Sequence, residues 1–506
     1  MMKKISLVLL TYFVFFACVD FASADKPLDI GNRRELFIDD YMIDTIKNVE
    51  LKLHEPVRRE VSIKWDKPWE GCGGGYTTVF HDGDKYRIYY HAWQIPGNGS
   101  NAPQHPLFIC HAESKDGINW TRPNLGLFEF NGTKDNNIVL KSIKGNDCHD
   151  MSPFVDTNPK ATADAKYKAV GLAIGPGSKV TGLWAFKSPD GVHWSFMKDG
   201  PVYTQGAFDT QNIAFWSEKD DKYVLYYRVF VNGVRHIERA FSKDFVNWQR
   251  DGLLDFGDGG PTIGEQFYVN QIKPYYRAPH ILIGFPARYV DRGITPSTYL
   301  LPEPEARRKR AAHALRYGTA VTDSILIISR DGKKFKRSDD VFLRPGLRTR
   351  YNWSYGDNYI AWHVVETDPT EDDCTREMSL YATEAYFTEN YSRLRRYTMR
   401  IDGFMSAHAK HAQGELVTKP FTFKGKRLSL NFAASAAGFV KVELQTAEGK
   451  PIAGFTQSDA DIMCGDSLDR TASWKGKSDV GALQGKPVRM RLVMRESDVY
   501  SWKFEE

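Results

Sequence analysis

The chain is 506 residues long with 42% hydrophobic and 13% aromatic content, and 68 basic against 63 acidic residues leave a formal net charge of +5. That composition holds too much apolar surface for a disordered chain and enough for one large core plus a smaller one. The charge is small for this length, and the one dense basic run, Arg307-Arg308-Lys309-Arg310, has no aromatics between its charges, so it reads as the solvated face of an Ala-rich helix and not as a nucleic-acid patch.

At the start, Lys3-Lys4, an apolar stretch from Ile5 to Val19 and Ala22-Ser23-Ala24 follow in the order of a secretory signal. This predicts a signal peptide over residues 1–24, cleavage after Ala24 and a secreted or periplasmic product. No later stretch approaches the roughly 20 apolar residues of a membrane helix, so no membrane insertion is expected. Cys18 falls within the signal, and Cys72, Cys110, Cys148, Cys374 and Cys464 are too scattered to read as a disulfide framework.

Pairs of β-rich runs joined by charged turns then occupy residues 76–90, 154–172, 212–230, 275–289 and 359–386. Among them a turn pattern, Ser-x-Asp followed by Gly or Phe and, three residues on, an aromatic ring, recurs at Ser114 to Trp120, Ser188 to Trp194, Ser242 to Trp248 and Ser329 to Phe335. Each copy sets a turn-forming Asp ahead of a ring suited to packing between sheets. Five units of short strands with almost no helical period predict an all-β chain, a five-bladed β-propeller followed by a C-terminal β-sandwich. After Asp402-Gly403-Phe404 the strands become short and alternating, as in Leu428-Ser429-Leu430-Asn431-Phe432. The propeller is accordingly drawn over 25–410 and the sandwich, as an accessory domain, over 411–506.

These strand pairs and turns, with the trailing sandwich, resemble the clan of glycoside hydrolase families 32, 43 and 68. Arg34-Glu35-Leu36-Phe37-Ile38-Asp39-Asp40-Tyr41, Tyr276-Arg277-Ala278-Pro279-His280 and the segment from Arg395 to Phe404 resemble, more narrowly, its uncharacterised secreted branch in planctomycetes and similar polysaccharide-degrading bacteria. The likeness spans nearly the whole mature chain and implies a glycosidase acting on a plant or algal poly- or oligosaccharide, with acids at the axial ends of the innermost strands. It does not fix the substrate.

Glycoside hydrolysis needs one protonated and one ionised carboxyl. In blade one, Glu70 precedes the first strand, where the clan carries an Asp and aligning on Asp82-Gly83 places Gly74. In blade two, Asp150 fits the clan's pattern, and His149 beside it is a substrate-binding candidate. Blade three offers Asp209 and Gln211 where the clan's acid Glu would stand. Glu265, opening blade four among aromatics, is the expected general acid. Arg277 and His280 suit an anionic sugar, a phosphate or a structural ion pair, and Glu377 is a further acid in blade five. The expected catalytic set is therefore Glu70, Asp150 and Glu265, with His149, Asp209, Gln211, Arg277, His280 and Glu377 binding substrate. No metal spacing or cofactor motif is present, so neither is expected. Three alternatives stay open: a glycoside phosphorylase with Arg277 and His280 as phosphate clamp, a non-catalytic glycan-binding propeller, and a sialidase, which needs an arginine triad and a Tyr nucleophile.

Overall fold

A computed structural model describes residues 26–94, 105–175, 179–369, 375–388 and 392–506; the expected signal peptide and Cys374 lie outside the described residues. Five antiparallel sheets follow one another along the chain as the blades of a propeller, as the strand pattern predicts. Blade one is Gly75–Asp82, Lys85–Gln94, His105–Ser114 and Ile138–Leu140; blade two is Asp147–Val155, Tyr167–Gly175, Lys179–Ser188 and Ser195–Phe196. Blade three is Ile213–Ser217, Lys222–Val231, Val234–Ser242 and Trp248–Leu253. Blade four is broken into shorter pieces around Ala320–Ser329, and blade five joins Val365–Thr367, Glu377–Glu384 and Arg393–Met399 to Val57–Lys64 from near the start of the chain. Strands in the middle of a blade pack on both faces, which is why Tyr86, Ile88, Tyr89, Tyr90 and Ala92 are all buried in one strand instead of alternating with exposed positions.

The repeated turns hold neighbouring blades together. In the second copy Asp190 Oδ1 accepts from the amides of Val192 and His193 at 2.8 Å each, and Trp194 Nε1 donates to Gly191 O at 3.1 Å. Tyr89 of blade one donates its hydroxyl to that same Gly191 carbonyl at 2.7 Å. Gly191 sits at φ +79°, and a Cβ there would lie 2.6 Å from the Tyr89 hydroxyl, so both the backbone angle and the close approach require glycine. Tyr226 of blade three clasps Gly332 of blade four in the same way at 2.8 Å, and Tyr381 of blade five clasps Gly117 of blade one.

The remaining ten strands form one sheet folded around its own core of Leu428, Leu430, Phe432, Leu492, Trp502 and Phe504, among others. Arg427–Thr446 runs along Val488–Glu505 over most of their length. This sheet also takes Leu28–Gly31, Glu35–Leu36, Ile43–Lys47 and Val49–Leu53. Residues 28–53 are thus part of the sandwich and not of the propeller, which corrects the boundary drawn at 25: the leading strands are too short and mixed for sequence to show which distant partner they join. The helix Pro304–His313 is also as expected, but only half of its basic run, Arg308 and Lys309, is solvated. Arg307 and Arg310 are buried, Arg307 donating to the carbonyls of Pro302, Gly318 and Trp353. No helix among the described residues is long and apolar enough to cross a membrane.

Candidate functional site

The propeller axis is filled. Gln211 donates to Thr78 Oγ1 at 3.1 Å and accepts from Gln271 Nε2 at 2.9 Å, while Gln271 also donates to Ile360 O at 2.6 Å. Blades one, three, four and five meet in this amide lattice, and Trp362, fully buried, donates to Ile272 O beside it. At one mouth of the axis every blade contributes a side chain: Tyr76, then His149 with Asp150, then Asp209, Tyr268 and Tyr359. Tyr76 stands at φ +42°, a conformation a bulky residue holds only where the surroundings enforce it. Its ring centroid lies 4.6 Å from His91, 5.5 Å from His149 and 6.5 Å from Tyr359.

A line of three titratable groups crosses this mouth. His149 Nδ1 is 3.4 Å from Asp150 Oδ1 and its Nε2 is 3.0 Å from Asp209 Oδ1. Burial works against charge on the imidazole, but the carboxylates on both ring nitrogens outweigh it and raise its pKa to about 10. Burial raises Asp150, with the imidazolium beside it opposing, and Asp150 Oδ2 is buried without a hydrogen-bond partner. Asp209, whose side chain is 45% exposed, goes the other way. The imidazolium and the Arg228 and Arg316 charges overcome its partial burial and hold it at about 2. Burial and the neighbouring His149 charge bring His91 down to about 3.

Around Asp209 and Tyr268 stand three arginines absent from the sequence-based set. Arg228 is buried in an otherwise apolar strand, with Nη2 3.8 Å from Asp209 Oδ2 and its charge 5.3 Å from the Tyr268 ring centre. Arg235 lies 5.1 Å from the same ring and 4.8 Å from that of Tyr289. Arg316 comes from the short helix Leu315–Thr319 inserted in blade four. Burial disfavours ionising the Tyr268 phenol, yet Arg228, Arg316 and the hydroxyl donated by Tyr355 at 3.0 Å bring its pKa below the ordinary value. The sequence signal for Arg228 was a lone charge within the apolar run Tyr226-Tyr227-Arg228-Val229-Phe230; for Arg316 there was none, because its place depends on the insertion's path.

Three of the expected residues, His149, Asp150 and Asp209, are brought together here; the others are placed elsewhere. Glu70 is fully buried between strands of blade one, where Arg122 donates to both carboxylate oxygens at 2.7 and 3.0 Å and Tyr90 donates at 2.5 Å. Its acceptor capacity is taken up by structural donors, which removes it from the catalytic set. Glu265 lies at the surface, paired with Arg288 at 3.2 Å and Arg337 at 2.9 Å, and no aromatic pocket encloses it. Gln211 belongs to the axial lattice. Glu377, at the start of an inner strand of blade five, pairs with Arg59 at 3.1 Å.

Arg277 and His280 face the sandwich instead of the axis. Arg277 Nε is 3.7 Å from Asp402 Oδ1, and His280 Nε2 is 3.1 Å from Glu35 Oε1. Asp402 is buried and also accepts from Tyr275 at 2.7 Å and Ser501 at 2.6 Å; Arg330 of blade four holds Glu35 at 2.8 Å and Asp39 at 2.7 Å. The motifs that carried the narrower resemblance therefore weld the sandwich to blade four, and Arg277 and His280 form neither the substrate contacts expected of them nor the phosphate clamp of the phosphorylase alternative. Among the described residues no group of three or more His, Cys, Asp or Glu side chains is placed to hold a metal ion.

No family model matches the chain, and no curated protein matches it. Solved structures to which it is similar include a glycoside hydrolase (12% identity, 69% of this chain and 93% of that one, TM-score 0.45). They also include a GH32 β-fructofuranosidase of Bombyx mori (10%, 90% and 94%, 0.40) and a fructofuranosidase of Schwanniomyces occidentalis complexed with fructosylnystose (11%, 87% and 96%, 0.39). The propeller hydrolases anticipated from the sequence are thus among the structures this chain is similar to.

Proposed function

We propose that this chain is a glycoside hydrolase whose substrate is a poly- or oligosaccharide bound at the five-blade mouth. The observation that carries the reading is the line Asp150–His149–Asp209, in which two carboxyls on one imidazole are driven apart, Asp150 upward and Asp209 down to about 2. The His149 imidazolium is the acid of this line and the ionised Asp209 its base, held together near neutral pH. The half-exposed Asp209 and the imidazolium of His149 act as one proton-transfer unit: it gives a proton to the departing glycosidic oxygen and recovers one from the incoming water. Asp150, which solvent does not reach, is a positioning residue that orients His149 and keeps it charged.

The test is to incubate the protein with neutral, uronic and sulfated polysaccharides and quantify released reducing sugars. Asp209→Asn and His149→Gln each lower release at least about 100-fold, the usual worth of positioned proton transfer, while the unfolding transition stays cooperative. Release that survives in both variants overturns the assignment, and binding without release by the unmodified protein makes the mouth a glycan-binding site only.

A further inference from the structure

The mouth holds more positive charge than its own carboxylates neutralise. Arg228, Arg235, Arg316 and His149 converge on it, and among the described residues Asp209 is the one carboxylate within 4 Å of any of the three arginines. Arg228 is 4% exposed; its Nε donates to Ala207 O at 2.8 Å, but its Nη1 is buried with no partner. Arg235 spends Nη1 on the uncharged Gln266 at 2.6 Å and leaves Nε buried and unpartnered, as Arg316 does its own Nε. Guanidinium groups withdrawn from water are stable only when paired with anions or fully hydrogen-bonded, and their planar donor forks match carboxylate and phosphate oxygens. Arg228 lies against the Tyr268 ring and Arg235 against those of Tyr268 and Tyr289.

We propose that Arg228, Arg235 and Arg316 form an oxyanion subsite beside the Asp209–His149 unit, taking either the acidic group of an anionic sugar or inorganic phosphate. The inference rests on the mouth being the substrate site but not on cleavage taking place there. Bound there, a uronate carboxylate holds the sugar with its glycosidic oxygen turned to Asp209; phosphate in the same place is positioned as a co-substrate.

The test measures thermal unfolding and calorimetric binding with inorganic phosphate, galacturonate and glucuronate, and with the neutral sugars galactose and glucose. At least one of the anions binds tenfold or more tightly than every neutral sugar, and Arg235→Gln and Arg316→Gln each weaken it at least tenfold. Arg228→Gln is the third variant, and Arg308→Gln, on the outer face of the insertion helix, is the control that leaves binding unchanged. Tighter binding of a uronate than of phosphate assigns the subsite to the sugar; tighter binding of phosphate, with glycan-dependent phosphate consumption, assigns it to a co-substrate. Equal binding of charged and neutral probes, or anion binding indifferent to Arg235 and Arg316, overturns the proposal. Arginine-dependent anion binding without glycan cleavage keeps the subsite and removes the hydrolase reading; cleavage of neutral glycans untouched by the arginine variants does the reverse.

Discussion

His149 Nε2 lies 3.0 Å from Asp209 Oδ1, and this contact joins a buried blade-two strand to the half-exposed entrance of blade three. It places a permanent charge pair where five inner strands converge, and the protein's pH response follows from it.

His149 has a folded pKa of about 10 against an ordinary 6.5. A base whose pKa rises on folding contributes stability that is complete below about pH 6.5 and is lost as pH climbs toward 10. The stability margin of the wild type over His149→Gln, measured by denaturant unfolding at pH 6, 8 and 10, therefore shrinks steadily with pH. A margin that is the same at all three values contradicts the charged assignment.

Two of the three acids first expected to catalyse respond to neutralisation to different degrees. Glu70→Gln leaves Arg122 without its counter-charge inside blade one and costs about 3 kcal/mol, seen as a lower denaturant midpoint at unchanged slope. Glu265→Gln, at the surface, costs under about 1 kcal/mol. Sugar release per folded molecule is unchanged in both.

Asp402 ties Tyr275, Arg34, Arg277 and Ser501 into one buried network between blade four and the sandwich. Asp402→Ala leaves two guanidinium groups short of a partner and is expected to cost about 3–5 kcal/mol. Limited proteolysis then releases a sandwich-sized fragment sooner than in the wild type; identical digestion rates argue against the weld.

At the turns, Tyr89→Phe removes one interblade hydrogen bond and costs about 1 kcal/mol. Gly191→Ala forces a side chain into the Tyr89 hydroxyl at a left-handed backbone position and costs more than the tyrosine change. Midpoints measured side by side check the order.

Much of the fold was legible because its signals are local. Pairs of β-rich runs mark each blade and the Asp-centred turns mark four of the five, and Asp150 and His149 follow from where an inner strand begins. The site was less legible, because its chemistry depends on distances between blades. Glu70 and Glu265 stand at plausible sequence positions, yet one is claimed by Arg122 and the other by Arg288 and Arg337, partners set by packing. Arg228, Arg235 and Arg316 gain meaning only when strands of blade three and an insertion in blade four are seen to meet at Tyr268.

The placement of residues 28–53 in the C-terminal sheet, with Val57–Lys64 completing blade five, bears on how the molecule comes to be made. The ring closes when Val57–Lys64 pairs with Arg393–Met399, but the sandwich cannot close until the last strand, Val488–Glu505, has been synthesised. Pairings across so many residues are slow to form and leave strand edges open meanwhile. A chain cut short before residue 488 therefore loses the partner of Glu35–Leu36 and of Arg427–Thr446, and the sheet against which blade four is anchored is left incomplete.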